Sequence, residues 1–278
     1  MDDASVLRTL EARLQALLPQ EYQDSYEDVE PTPMGSAGLK YDADGRVAWD
    51  EIWQSFCDLA LAGGPPHKGT LLQPGAADGI AADPGGYAAV TREICRGVTL
   101  VTGLPSDPSD EPGWIHVGCD TEAMAGWLLR AITIENVAVR ADGSVLDLPA
   151  APAYRLEKEI KNVVTVIAKT CHYWSGHMWR FEQQAIASLF GEMAAESPLL
   201  APAYPGPRWI ASPCPDVRSA VWMTRLMVAS NTLARREDTV VLAPVDPVRD
   251  PGGSIAAALL ARARRLALLK GVLQESLS

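Results

Sequence analysis

One stretch of the chain concentrates the side chains that acid–base chemistry and anion binding require. It reads RLEKEIKNVVTVIAKTCHYWSGHMW from Arg155 onwards, and it holds two of the four histidines, His172 and His177, beside Tyr173 and Trp174. Histidine changes its charge near neutral pH, and aromatic rings beside titratable groups are typical of small-molecule pockets. We therefore predict that the two histidines act as acid or base and that the two aromatic residues contact a ligand.

A row of hydrogen-bond donors runs along the same predicted helix. Its members are spaced four, three, four and three residues apart: Lys158, Asn162, Thr165, Lys169 and His172. This spacing places them on one helix face, where Lys169, together with nearby Lys161, would hold the charge of an anionic ligand. A solvent-exposed charged face has the same spacing, so the pattern leaves both interpretations open.

The histidine spacing does not indicate a metal site. Five residues separate His172 from His177, which on one α-helix places their side chains about 140° apart. Gly176 could break the helix and let the rings converge, but the chain has neither an HExxH motif nor grouped carboxylates. It also lacks the GxSxG, Walker A and GxGxxG motifs. The sequence therefore predicts no metal, excludes the common hydrolase, NTPase and dinucleotide-binding classes, and identifies no cofactor.

A second candidate binding segment is the loop Gly63–Thr70, which contains His67 and Lys68. Glycine permits close approach of the backbone, and these two side chains would present donors to an anion. A loop that merely ends a helix and carries two cations by chance would look the same.

A segment that occurs twice in the sequence is expected to form the scaffold that positions these polar residues. The segments Trp114–Pro149 and Trp209–Pro244 align without a gap at an offset of 95 residues. Ten positions are identical: Trp114/Trp209, Ile115/Ile210, Cys119/Cys214, Ala125/Ala220, Trp127/Trp222, Arg130/Arg225, Asn136/Asn231, Arg140/Arg235, Val145/Val240 and Pro149/Pro244. Tryptophan and cysteine are rare residues, so we interpret the match as an internal duplication.

The shared polar residues have structural and functional interpretations. Arg130 follows Trp127 by three residues, so its guanidinium is expected to stack on that indole or to reach a carboxylate. An internal ion pair and a ligand contact at the interface of the repeats both remain open for it. Asn136 and Asn231 are predicted to end their helices, because asparagine tolerates the left-handed conformation.

The residue pattern in each copy predicts the element order β-α-β-β-α, so the expected fold class is α+β. We expect the two repeats to pack about a pseudo-two-fold axis, preceded by a mainly helical N-terminal region. The predicted organisation is residues 1–108 for that region, 109–200 for the first repeat with an extra helix, and 201–278 for the second repeat, within one compact unit. The principal predicted helices are Ser5–Leu18, Trp49–Ala62, Gly86–Leu104, Ala153–Trp174, Trp179–Ala195 and Gly253–Leu273.

Composition limits the partners of the protein. A net charge of −11 and a pI near 4.8 argue against binding to nucleic acid or anionic lipid. The acidic start does not resemble a signal peptide, and no apolar run approaches the roughly 20 residues that span a bilayer. Five cysteines without CxxC spacing fit reduced thiols. We predict a cytoplasmic protein, and the richness in Ala, Arg, Gly and Pro is typical of bacterial sequences.

These observations lead to two functional hypotheses. The first is a cytosolic enzyme that binds a small anionic metabolite between the duplicated halves, with histidine acid–base chemistry. The helix Lys158–His177 would form one wall of the pocket, and the loop Gly63–Thr70 would close it. The alternative is a non-catalytic scaffold, carrier or assembly partner, and the absence of an established catalytic motif favours it. A homo-oligomer is compatible with either hypothesis.

Overall fold

The computed structural model describes residues 2–23, 39–52, 69–204 and 208–274. This part of the chain is a mixed α+β fold with a helical N-terminal region and two small antiparallel sheets. No helix within it is both long enough and apolar enough to cross a membrane. Residues 53–68, which include His67, Lys68 and most of the predicted helix Trp49–Ala62, lie outside the described residues.

The N-terminal region is built from five helices in the part that the structure describes. They are α1 (Asp3–Ala16), α2 (Gln20–Gln23), α3 (Trp49–Ile52), α4 (Ala77–Ala82) and α5 (Pro84–Thr102). The Asp2 side chain caps α1 by accepting a hydrogen bond from the Ser5 backbone at 2.8 Å. Gly103, with a φ of 74°, ends α5. Leu10 and Leu14 are buried on the face of α1 that the periodicity predicts.

The first sheet follows this region and has the strand order β1-β2-β4-β3. Its strands are β1 (Ser106–Pro108), β2 (Trp114–Gly118), β3 (Arg140–Asp142) and β4 (Val145–Pro149), and α6 (Glu122–Ile134) lies between β2 and β3 in sequence. Trp114 is opposite Pro149 in the antiparallel pairing of β2 with β4. The side chain of Thr121 caps α6 through the Met124 backbone at 3.1 Å.

Two helices connect the sheets, α7 (Lys161–His172) and α8 (Arg180–Glu196). The predicted continuous α-helix Ala153–Trp174 is wrong in its geometry, because α7 lies between two π-helical turns, Leu156–Ile160 and Tyr173–His177. Trp127 of α6 links this helix to the N-terminal region, because its indole donates a hydrogen bond to the Leu17 carbonyl at 2.8 Å.

The second sheet has the strand order β5-β7-β6. Its strands are β5 (Trp209–Pro213), β6 (Arg235–Glu237) and β7 (Val240–Pro244); α9 (Val217–Ala229) lies between β5 and β6, and α10 (Ser254–Lys270) follows the sheet. Backbone hydrogen bonds of the first sheet recur 95 residues later. Cys119 N donates to Ser144 O at 2.8 Å, and Cys214 N donates to Thr239 O at 2.8 Å.

The strands that follow α6 and α9 begin later than the sequence predicts. The apolar residues that follow each repeat helix predict extended structure over Val137–Arg140 and Thr232–Arg235, but β3 and β6 start at the last residue of each range. Val137 instead forms an isolated parallel bridge with Leu72, and Thr232 forms one with Leu200. The backbone groups before each hairpin are therefore used by incoming segments that lie elsewhere in the sequence.

Both helices that precede the hairpins end at an asparagine in the left-handed conformation, as predicted. The φ angles are 60° at Asn136 and 57° at Asn231. The Nδ2 atom of Asn136 donates to Arg236 O at 2.8 Å, and that of Asn231 donates to Ser197 O at 2.7 Å. Each asparagine thus combines a turn conformation with a long-range hydrogen bond.

We predict that Asn136→Ala destabilises the protein more than Asn136→Gly does. Both changes remove the bond to Arg236 O, but only alanine carries the steric cost of the left-handed backbone, which is about 1 kcal/mol. Urea unfolding of the two variants measures the difference. Equal or greater stability of Asn136→Ala would show that the backbone conformation is not the limiting constraint.

Candidate functional site

A cavity of about 490 Å³ opens between α6, α8, the β3–β4 turn and Asn231 of the second sheet unit. We call it the Arg130 cavity. Its walls are largely apolar, and the apolar lining residues include Leu129, Ala187, Phe190, Ala194 and Leu199. Three polar side chains also line it: Glu122, Arg130 and Asn231. A mostly apolar cavity with a few polar groups is typical of small-molecule sites.

Arg130 is the buried cation of this cavity, with only 4% of its surface exposed. Its Nη1 donates to Gly126 O at 2.8 Å, and its Nη2 donates to Asn231 Oδ1 at 2.7 Å. The guanidinium carbon lies 4.0 Å from the centre of the Phe190 ring. Among the described residues its Nε has no hydrogen-bond partner and no carboxylate forms an ion pair with it. Burial lowers the pKa of Arg130 to about 10, so it stays charged at neutral pH.

The stacking partner of Arg130 differs from the prediction. Trp127 was expected to contact it, but the Trp127 indole bonds the Leu17 carbonyl at the end of α1 and lies 5.9 Å from the Trp174 ring. Phe190 of α8 takes that place instead. Gly126 makes the contact possible, because an added Cβ would lie 3.1 Å from the Phe190 ring. A glycine inside an apolar helix was the available sequence signal, since the position 95 residues later is Val221.

The structure brings His172 and His177 together. Their Nε2 atoms are 3.0 Å apart, and their ring centroids are 4.8 Å apart. The angle of about 140° applies to one continuous α-helix, whereas here the π-helical turn Tyr173–His177, which contains Gly176, follows α7 and brings the two rings together. The Nδ1 atom of His177 also bonds the carboxylate of Glu21 in α2. The result is a carboxylate–histidine–histidine chain that can pass a proton along its length.

The carboxylate of this chain is held in place by a buried neighbour. Glu182 accepts hydrogen bonds from the backbone of Gln20 at 2.8 Å and of Trp179 at 2.7 Å. It therefore fixes α2 against the first turn of α8, and with it the position of Glu21. Burial is the main cause that lowers the pKa of His172, followed by the charge of His177, while Glu21 raises it.

The other predicted site residues occupy different surroundings. Lys169 is 1% exposed, and its Nζ donates to Glu135 Oε1 at 2.7 Å, so it forms a buried ion pair. Tyr173 and Trp174 are buried in the core, and Lys161 is half-buried at the start of α7. Of the predicted residues within the described ranges, only Arg130 lines the Arg130 cavity, and neither histidine does.

Sequence reasoning missed a second histidine–carboxylate pair. His116 Nδ1 bonds Asp147, which lies opposite it in the pairing of β2 with β4. Arg140 Nε donates to the same carboxylate at 2.6 Å and lies over the Trp114 ring. Side chains alternate between the two faces along β2 and β4, so the sequence could have predicted that both residues share a face. It could not have predicted that they lie opposite each other. Across the ranges that the structure describes, no three histidine, cysteine or acidic side chains converge to hold a metal ion.

Comparison with known proteins assigns no relative to this architecture. No family model, no curated protein and no solved structure matches the chain. The chemistry of the cavity and of the side chains is therefore the only indication of function in the described residues.

We predict that Lys169 stabilises the fold. Removing one partner of a buried ion pair leaves an uncompensated charge, so Lys169→Met and Glu135→Leu should each lower the free energy of unfolding by about 3 kcal/mol. The double variant should lose less than the two single losses together. Chemical denaturation of the four proteins measures this coupling, and strict additivity would contradict a direct interaction.

We predict that acid destabilises the protein through His172. The folded-state pKa lies below the ordinary value of 6.5, so the unfolded chain binds the proton more readily. The stability contributed by neutral His172 is complete above pH 6.5 and is lost as the pH falls through and below that value. His172→Gln should flatten this decline when urea unfolding is measured between about pH 7.5 and 5. Parallel declines in the variant and the parent protein would contradict the prediction.

Proposed function

We propose that this protein binds a small anionic molecule in the Arg130 cavity. The observation that carries the proposal is a guanidinium that is 4% exposed, lines an open cavity and has no carboxylate partner among the described residues. Buried charges are normally paired, because removal from water costs free energy that only a partner offsets.

The pKa of Arg130 indicates how unfavourable this arrangement is without a ligand. A decrease from 12.5 to about 10 makes the charged form about 3 kcal/mol less favourable in the folded chain than in water. An anion bound beside the guanidinium would reverse part of this cost, and so would gain affinity from it. The net charge of −11 does not oppose such binding, since a local cation inside an acidic protein still selects anions.

We also propose that the chain arose by internal duplication and that its halves are related by a pseudo-two-fold axis. Equal strand registers, the paired asparagines and the stacking of Arg140 on Trp114 and of Arg235 on Trp209 support this. Superposition of residues 114–149 on 209–244 in an experimental structure provides the test. A rotation near 180° is expected, whereas a simple translation would refute the axis.

Catalysis is proposed for the histidine pair, with His172 as the group that gains and loses a proton. The contact with His177 and the Glu21 carboxylate support an acid–base role at this partly exposed position. We place this activity in the cytoplasm. In support, Cys119 and Cys214 are free, and burial raises the pKa of their thiols to about 12 and about 11, which keeps them protonated and inert.

The alternative function, a non-catalytic assembly partner, is favoured by one surface feature. Trp179 and Phe181, at the start of α8, are 69% and 61% exposed. Aromatic side chains with this exposure are common at protein interfaces. If a second copy covers them, Trp179→Ser with Phe181→Ser should convert an oligomer to a monomer in native mass spectrometry. A parent protein that is already monomeric at high concentration would rule out the homo-oligomer.

We predict that Arg130→Gln weakens anion binding at least tenfold. Acetate and phenylacetate serve as probes, and the nitrogen-15 resonance of the Arg130 Nε–H group reports occupancy of the cavity by NMR. Both carboxylates should shift this resonance in the parent protein, and phenylacetate should bind more tightly because of the apolar walls.

Arg92→Gln provides the matched control, because it removes the same charge from an exposed position of α5. It should bind phenylacetate like the parent protein. Arg130→Gln should show at least a tenfold loss in calorimetry, since a hydrogen bond to a charged group contributes about 1.5–3 kcal/mol. An unchanged affinity in Arg130→Gln would disprove the proposed site.

A further inference from the structure

We infer that the ligand of the Arg130 cavity is a zwitterion, an α-amino acid with an apolar side chain. This inference rests on the proposed function, and it adds the class of molecule that the cavity selects. It is carried by the second charged group of the cavity, the carboxylate of Glu122.

Glu122 and Arg130 are placed on the same wall by the helix itself. Glu122, Gly126 and Arg130 follow each other at intervals of four residues, so they form one stripe along α6. The Arg130 guanidinium turns back along the helix to bond Gly126 O at 2.8 Å. It therefore lies about one helical turn from the level of Glu122, roughly 6 Å for four residues.

The two charges do not neutralise each other. Glu122 and Arg130 form no ion pair within the described structure, although both line the cavity. The Glu122 carboxylate reaches the wall that the β3–β4 turn provides, since a Cβ added at Gly143 would lie 3.8 Å from its Oε1 atom. The cavity thus presents an acceptor and a donor at separate points of its wall.

This pair of charges favours a ligand that carries both signs. A carboxylate alone would bond Arg130 but would lie near the Glu122 carboxylate, which repels it. An ammonium alone would bond Glu122 and leave Arg130 unpaired. A molecule with an α-carboxylate and an α-ammonium group satisfies both residues at once, and each bond is charge-assisted.

The remainder of the cavity fits an apolar side chain. Its walls contain Leu129, Phe190 and Leu199 together with small residues, and the volume of about 490 Å³ lies within the range of small-molecule sites. Gly191 leaves its part of the lining open, since no atom lies within 4 Å of the place where its Cβ would be. Burial of such a side chain adds hydrophobic free energy to the two ionic contacts.

The test uses the full-length protein and sets of probes that differ by one charged group. L-phenylalanine is compared with 3-phenylpropanoate and 2-phenylethylamine, and L-leucine with 4-methylpentanoate, by isothermal titration calorimetry. We expect each amino acid to bind at least tenfold more tightly than the analogues that lack one charge. The reason is that an analogue without one charged group leaves one of the two charged residues of the cavity without a charge-assisted hydrogen bond.

Two variants separate the inference from the proposed function. Glu122→Gln, at an exposed position of α6, should lower the affinity for L-phenylalanine at least tenfold and leave that for 3-phenylpropanoate equal or higher. Arg130→Gln should lose both ligands. Equal binding of the amino acids and the carboxylates would overturn the zwitterion and keep the anion site. Binding of no probe by the folded parent protein would overturn both.

Discussion

The left-handed backbone at Asn136 and Asn231 determines how each helix meets its sheet. A φ near 60° ends α6 and α9 abruptly and directs the chain toward the hairpins. Asparagine adopts this conformation more easily than other side chains that carry a Cβ, because its short amide bonds nearby backbone. Here both amides also bond outside their own helix, to Arg236 O and Ser197 O. The residues that end the helices therefore also join distant parts of the chain.

Asn231 extends this constraint to the Arg130 cavity. Its Oδ1 accepts from Arg130 Nη2, so an atom of the second sheet unit orients a cation on a helix of the first. Asn136, at the end of α6, has a comparable role for a cation of the second sheet, since its Oδ1 accepts a hydrogen bond from Arg235 Nη1 at 3.1 Å. Arg235 in addition pairs with Glu237 at 2.6 Å. The exchange of bonds between the units holds buried guanidinium groups in defined positions.

Lys169 and Arg130 represent two different situations of a buried charge in the described structure. Lys169 and Glu135 compensate each other within hydrogen-bond distance, and such pairs fix the packing of α6 against α7. Arg130 has polar neighbours and an aromatic ring, but its Nε lacks an acceptor in the described structure. An arrangement that is unfavourable for folding and open to a cavity is typical of a binding site. Arg130 is therefore distinguished from Lys169 by its lack of a carboxylate partner in the described structure and not by a sequence motif.

Much of the local structure was determined by the sequence. Helical periodicity predicted α1, α5, α8 and α10 to within a few residues, since burying one face requires apolar residues at regular intervals. The match at 95 residues identified the two asparagines and the stretches that form every strand of the two sheets except β1. The sequence singled out His172 and His177 but left open whether their rings diverge on one helix or converge through a break at Gly176.

Only the tertiary structure decided which of these groups meet. Phe190 lies over Arg130, and Glu21 bonds His177, across separations of 60 and 156 residues that no local pattern encodes. The π-helical turn that unites the histidines likewise departs from the regular helix that periodicity assumes. Periodicity and turn residues record which face is buried and where the chain bends, because those depend on near neighbours. Partners of buried polar groups depend on how whole elements pack, and that is settled by the shape of the assembled core.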